Sequence, residues 1–177
     1  DASSYLQRLA VARNRALLGT VPALLVALFV GVGVFLVRVR MLRSVRQLAE
    51  SELRFRSTAD ASPALVWTCD TTGACDWFNR SWLEFTGVPM ADQIGEGWAR
   101  GVHPEDRERC VNEFRRALMD RDPFHMDYRL RRADGEYRTV EDRGAPNLSP
   151  SGEFLGYVGM AIDVTDRLRA EQALAIV

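Results

Sequence analysis

The spacing of apolar residues changes several times along the chain. Ala16 to Val37 is an uninterrupted run of 22 uncharged residues with no polar side. At about 1.5 Å rise per residue it makes roughly 33 Å of helix, enough for a bilayer's hydrocarbon core, so the run predicts a transmembrane helix over 16–37. Within it Ala23, Ala27 and Gly31 recur every four residues, a small-residue ridge that lets two such helices approach closely. Over 38–56 the spacing becomes that of an amphipathic helix, with Met41, Leu42, Val45, Leu48, Ala49 and Phe55 on one side. Met41, Leu48 and Phe55 repeat every seven, although Glu52 interrupts the stripe. Two readings stay open: a coiled-coil-like seam between two copies, or a helix packed on its own domain.

From Ser57 the pattern changes to short strands and tight turns. Leu65–Asp70 and Ala74–Asn79 flank Asp70-Thr71-Thr72-Gly73, which predicts a hairpin. In Phe124–Arg132, Phe124, Met126, Tyr128 and Leu130 alternate with His125, Asp127, Arg129 and Arg131, the period of a strand with one buried face. Turns at Ala133–Glu136 and Ser149–Gly152 lead into strands at Tyr137–Asn147 and Phe154–Val164. Between the two groups of strands, Asn79 or Ser81 can cap a short helix that ends at Gly87. His103-Pro104-Glu105-Asp106 opens a longer helix, with Pro at its first position and acids where the helix dipole favours them. Cys110, Val111, Phe114, Ala117 and Leu118 form its apolar stripe. The fold class is therefore α+β with an antiparallel sheet, and another helix leaves from Thr165.

Charge sharpens the division. Residues 1–56 carry nine Arg against three acids, and the remainder 14 Arg against 21 acids. Arg38, Arg40, Arg43 and Arg46 follow the apolar run while Arg8, Arg13 and Arg15 precede it. That excess places the C-terminal part in the cytoplasm, with a single span in the inner (cell) membrane. All 23 basic residues are Arg. Without Lys there is no Walker-type loop, Schiff-base chemistry or kinase-type ATP anchor. Two His and three Cys, scattered, provide no metal site. The near-neutral net charge of −1 argues against nucleic acid as a partner. No acid–base–nucleophile set assembles, so the chain is not expected to be an enzyme by itself.

Four segments in order resemble the PAS sensory domain followed by its PAC motif: Phe78–Gly87 (FNRSWLEFTG), Trp98–Arg109 (WARGVHPEDRER), Phe124–Asn147 (FHMDYRLRRADGEYRTVEDRGAPN) and Gly156–Arg167 (GYVGMAIDVTDR). The resemblance covers nearly all of 57–167 and implies a five-stranded antiparallel sheet with helices over one face and a small cavity between. The family often has Trp where Thr139 stands and Glu where Asp127 stands. The domains expected are a juxtamembrane segment (1–15), the transmembrane helix (16–37), a signalling helix (38–56), the sensory domain (57–165) and the start of an output linker helix (166–177). The chain starts at Asp1 and stops within a helical pattern, so it is expected to be a piece of a longer membrane receptor of bacterial type.

The resemblance also frames the candidate sites. A flavin-binding light sensor of this kind carries Cys in an Asn-Cys-Arg-Phe-Leu-Gln stretch, which is missing here. A haem sensor presents an axial His from the long helix, which has none after its start. No cofactor is expected; an unidentified small ligand is left open. Alternation nominates Trp67, Phe114, Phe124, Met126, Tyr128, Val158, Met160 and Ile162 as pocket lining, with Trp82 and Trp98 as lid or core. Asp163 and Thr165 match the Asp-Ile-Thr ending that in relatives couples the sheet to the departing helix, with Val164 where Ile is usual; all three are the expected relay. Cys110 reads as a core thiol, and a Cys69–Cys75 disulfide is not expected in a reducing compartment. The expected role is a sensory module, acting as a homodimer and relaying a stimulus to an output domain of the same chain, a histidine kinase or a cyclic-dinucleotide enzyme. The competing role is a ligand-free dimerisation and spacing domain.

Overall fold

A computed structural model describes the backbone of residues 2–175; side chains within the N-terminal helix are described at Ser3, Ser4, Arg8 and from Leu28 onward. The chain divides into two units, one running to Leu53 and the other starting at Arg54. Helix α1 (Ala2–Asp60) is unbroken from the apolar run into the amphipathic stretch. The side chains of 16–27, and with them Ala23 and Ala27, lie outside the described residues. Among the described residues no helix is long and apolar enough to cross a membrane. Leu28, Phe29, Val30 and Phe35 stand exposed, as do Met41, Leu42, Val45 and Leu48 of the amphipathic stretch.

The second unit is built on strands β1 (Leu65–Cys69), β2 (Cys75–Phe78), β3 (Phe124–Arg131), β4 (Tyr137–Leu148) and β5 (Phe154–Asp163). They form one antiparallel sheet in the order β2-β1-β5-β4-β3. The two hairpins, β1–β2 and β3–β4, are thus joined through β5, the last strand made. Burial alternates along β3 as its pattern requires: Phe124, Met126, Tyr128 and Leu130 are buried, His125, Asp127 and Arg131 exposed.

One face of this sheet is covered by helices. Asn79 caps α2 (Arg80–Thr86) by accepting from the Trp82 N–H, and Gly87 ends it at φ 67°, a left-handed conformation that favours glycine. A short helix α3 (Met90–Gln93) and a 3₁₀ turn (Gly97–Arg100) follow. Helix α4 (Pro104–Asp120) starts at the proline, and the His103 side chain caps it by accepting from the Glu105 N–H. Arg129 on β3 donates to Asp106 and Glu105, both at 2.8 Å, which fixes the start of α4 to the sheet edge. These bonds hold the Asp106 carboxyl down at about 2. From α4, Cys110, Phe114 and Ala117 enter the core, meeting Trp82 and Phe78 from the β2–α2 connection and Trp67, Tyr128, Val140 and Tyr157 from the sheet. Full burial of each large apolar side chain stabilises the fold by about 1.5–3 kcal/mol. Helix α5 (Thr165–Ala175) departs straight from the end of β5.

Candidate functional site

A cavity remains at the centre of the covered face, lined by Trp67, Trp82, Trp98, Phe114, Phe124 and Tyr128, with Met126, Phe78, Cys75 and Asp142. It is nearly closed: about 10 Å³ is left, room for about one water. Trp67 packs edge-on to Phe114 at 5.9 Å and stacks with Phe124 at 6.0 Å; Trp98 meets Phe114 edge-on at 6.1 Å. Such contacts fix ring orientation as well as burying area.

Of the residues nominated by alternation, Trp67, Phe114, Phe124, Met126 and Tyr128 come together here, and Trp82 and Trp98 join them. Val158, Met160 and Ile162 do not. They point to the opposite face of the sheet, where Met160 is 47% and Ile162 52% exposed. The inward positions of β5 are Tyr157, Gly159 and Ala161. Gly159 lies opposite Trp67, and any Cβ at Gly159 would overlap the indole ring. Small residues on β5 leave the space that Trp67 fills, so the more apolar row of this strand is its outer one.

Asp142 was not legible as a site residue. It pairs with Met126 across the β3–β4 ladder, so it shares that residue's inward face and is only 3% exposed. Trp67 Nε1 donates to one carboxylate oxygen at 3.0 Å and the Tyr128 hydroxyl to the other at 2.9 Å. Burial pushes the carboxyl up to about 6, against the pull of these two donors. The Tyr128 hydroxyl is raised well above 10, chiefly by burial. The Trp82 indole N–H is also buried, with no hydrogen-bond partner.

At the far end of β4 a second constellation joins the sheet to α5. Arg138 is buried and donates from Nε to Asp163 at 2.8 Å and from Nη2 to Asp166 at 2.7 Å. The other oxygen of Asp163 accepts the Thr165 N–H at 2.9 Å. Thr165 Oγ1 accepts the Thr139 N–H at 2.8 Å, and the Val164 N–H donates to the Thr139 carbonyl at 2.9 Å. Burial alone pushes the Asp163 carboxyl up, but the bonds from Thr165 and Arg138 outweigh it and hold it below its ordinary value. Asp163, Val164 and Thr165 are thus brought together, around an Arg138 that the sequence reading did not single out.

Asn79 makes the corresponding bracket at the start of the second unit. It is fully buried, accepts from Val66 N and Trp82 N, both at 3.0 Å, and donates to the carbonyls of Ala59 at 2.7 Å and Ala64 at 2.9 Å. One amide side chain therefore ties the last turn of α1 to β1 and α2. Its capping role was legible; its three other bonds were not.

The remaining chemistry-bearing residues are placed elsewhere. His103 caps α4, and no His lines the cavity. His125, Asp127 and Glu141 are the one grouping of metal-type donors among the described residues. It lies on the outer side of β3 and β4, and the Glu141 carboxylate is already held by Arg143 and Arg167. Cys110 is a buried free thiol pushed up to about 11 by burial. Cys69 and Cys75, direct partners in the β1–β2 ladder, form a disulfide, contrary to expectation; the antiparallel register sets them face to face.

With this geometry established, comparisons with known proteins place it. Residues 77–161 match the family described as the PAS fold. The chain is 45% identical over 125 residues to the uncharacterised protein y4lL of Sinorhizobium fredii, covering 71% of this chain and 15% of that protein. It is 33% identical over 116 residues to the peroxide stress-activated histidine kinase mak1 of Schizosaccharomyces pombe, covering 65% of this chain and 7% of that one. The chain thus spans a small part of the length of these curated relatives. Among solved structures, the N-terminal domain of a diguanylate cyclase with PAS/PAC sensor from Marinobacter aquaeolei superposes with a TM-score of 0.52 at 26% identity, covering 59% of this chain and 97% of that one. A sensory box histidine kinase/response regulator from Burkholderia thailandensis gives 0.51 at 28% identity, covering 70% and 93%.

Proposed function

We propose that this domain of PAS fold, together with its PAC motif, is the sensory module of a membrane-anchored bacterial receptor. In this reading a small molecule in the aromatic cavity biases the packing of sheet and helices, and the bias leaves through Asp163, Val164 and Thr165 into α5. The observation that carries it is the Arg138 bracket, which fixes the first turn of α5 to β4 and β5 through directional bonds instead of a loose linker. A stiff joint passes on a population shift that a flexible one would absorb. The output is a histidine kinase or a cyclic-dinucleotide enzyme of the same chain, the classes in which the similar proteins above carry such domains. The chain itself has no catalytic role.

Several features support the anchoring and dimeric parts of the proposal. The uncharged run over 16–37 is long enough to span, and its described apolar residues from Leu28 to Val37 are exposed. The exposed row of Met41, Leu42, Val45 and Leu48 suits pairing with the same helix of a second copy. The Arg excess after the run favours the cytoplasmic side of the inner membrane for the domain, and the Cys69–Cys75 disulfide counts against it.

The near-closed core favours a second reading, a ligand-free dimerisation and spacing domain. Native mass spectrometry of the full chain purified from cells separates the two. Sensing predicts a stoichiometric small molecule that unfolding releases; a core empty in every preparation would favour the spacer.

A further inference from the structure

We propose that the cavity takes a small ammonium-type cation, held between the aromatic rings and the Asp142 carboxylate; this deepens the sensory reading above and rests on it. The first reason is a missing partner. Asp142 is 3% exposed, and among the described residues no Arg or His forms an ion pair with it. Buried carboxylates are ordinarily paired with a cation, because an isolated charge in a low-dielectric interior is expensive. Its two side-chain donors, Trp67 Nε1 and the Tyr128 hydroxyl, are neutral, as is the Arg143 backbone N–H that also stabilises it. A carboxylate offers about four acceptor sites, so these donors leave room for a ligand.

The second reason is the wall. Trp67, Trp98, Phe114 and Phe124 surround the void, and aromatic faces carry the negative end of the ring quadrupole. Cations are attracted to such faces most strongly when desolvated, the recognition used by aromatic cages for alkylammonium groups. An anion would meet the carboxylate as repulsion, and a neutral apolar molecule would leave its charge uncompensated. Room for about one water suits ammonium or its smallest alkyl derivatives and excludes bulky cations without a rearrangement of the cover helices.

The test is calorimetric titration of the full chain at constant ionic strength, with chlorides of ammonium, methylammonium and ethanolammonium. Sodium chloride controls for the anion and ethylene glycol supplies the uncharged counterpart. At neutral pH and above, at least one ammonium should saturate a single site. Asp142→Asn should weaken that binding about tenfold or more while keeping its circular dichroism and cooperative melt. Trp98→Leu supplies an independent variant should Asp142→Asn fail to fold, and it should weaken binding severalfold by removing one ring face. Failure of every ammonium to saturate, or unaltered binding by folded Asp142→Asn, would overturn the inference. Binding of ethylene glycol alone, or a neutral molecule found in the purified chain, would overturn the cation and leave the sensory reading standing. A chain that binds no probe and carries nothing from the cell would end both.

Discussion

Arg138 and Asp163 meet at 2.8 Å across the β4–β5 ladder, and the same guanidinium reaches Asp166 in the first turn of α5 at 2.7 Å. Arg138 thereby holds the last residue of the sheet and the first turn of the departing helix in one grip. On the same inward face of β4, Val140 and then Asp142 follow at alternate positions. At about 3.3 Å per residue, roughly 13 Å of one strand separates the α5 bracket from the cavity carboxylate. The proposed site and the proposed relay are therefore two ends of a single row.

Asp163→Ala removes the acceptor for the Thr165 N–H and one of the two principal partners of Arg138. Asp166 remains to hold the guanidinium, so the expected loss is about 1–3 kcal/mol, well short of unfolding. Thermal melting measures the loss. In the parent protein the same variant should uncouple output from stimulus, a readout that melting alone does not move.

Asp142 governs the pH dependence of the core. Its carboxyl is raised from 3.8 to about 6, so the folded state binds more protons than the unfolded chain between those values. Stability contributed by the protonated form is complete below the unfolded value and is lost as pH rises through about 6. Asp142→Asn should flatten this decline, which in the wild type amounts to about 2–3 kcal/mol. Melting temperatures on both sides of that transition, for both proteins, check the sign. A wild type that becomes more stable across the interval would show the carboxylate to be compensated.

Asn79→Ala leaves the buried Val66 and Trp82 N–H groups and the Ala59 and Ala64 carbonyls short of a partner. The expected cost is about 2–4 kcal/mol, more than an ordinary cap, because several buried groups are affected together. Amide exchange should quicken first at Val66, Trp82 and the last turn of α1.

The two faces of β5 are separable by substitution. Gly159→Val drives a side chain into the Trp67 ring and should destabilise by about 2 kcal/mol or more. Met160→Ala, on the exposed face, should stay within about 1 kcal/mol. Denaturant midpoints for the pair distinguish inner from outer; equal losses would contradict the assignment.

The prediction of these faces shows what a sequence can and cannot carry. On β3, apolar and charged residues alternate cleanly, and Phe124, Met126 and Tyr128 are indeed inside. On β5 the same logic fails, because Val158, Met160 and Ile162 are more apolar than the Gly159 and Ala161 that face inward. The deciding fact is the bulk of Trp67 on a strand 92 positions away, visible only once Trp67 and Gly159 are opposed. Helix boundaries were readable from local chemistry: His103-Pro104, Asn79 and Gly87 stop or start helices through their own backbone and side chains. Asp142 and Arg138 were not, because an acid or base in a strand reads as solvent-facing unless its distant partners are known. Pairing parity was the usable signal: Asp142 falls in phase with Val140, which faces Tyr128.

The central claim, that the state of the cavity reaches α5 through the Asp163 bracket, is tested most directly by amide hydrogen exchange at Thr165–Leu168 in four forms of the full chain: wild type, Asp142→Asn, Asp163→Ala and the double variant. The account predicts that Asp142→Asn changes protection of those amides in the wild-type background and has no effect on them once Asp163 is alanine. An Asp142→Asn effect of the same size in both backgrounds, or none in either, would contradict it.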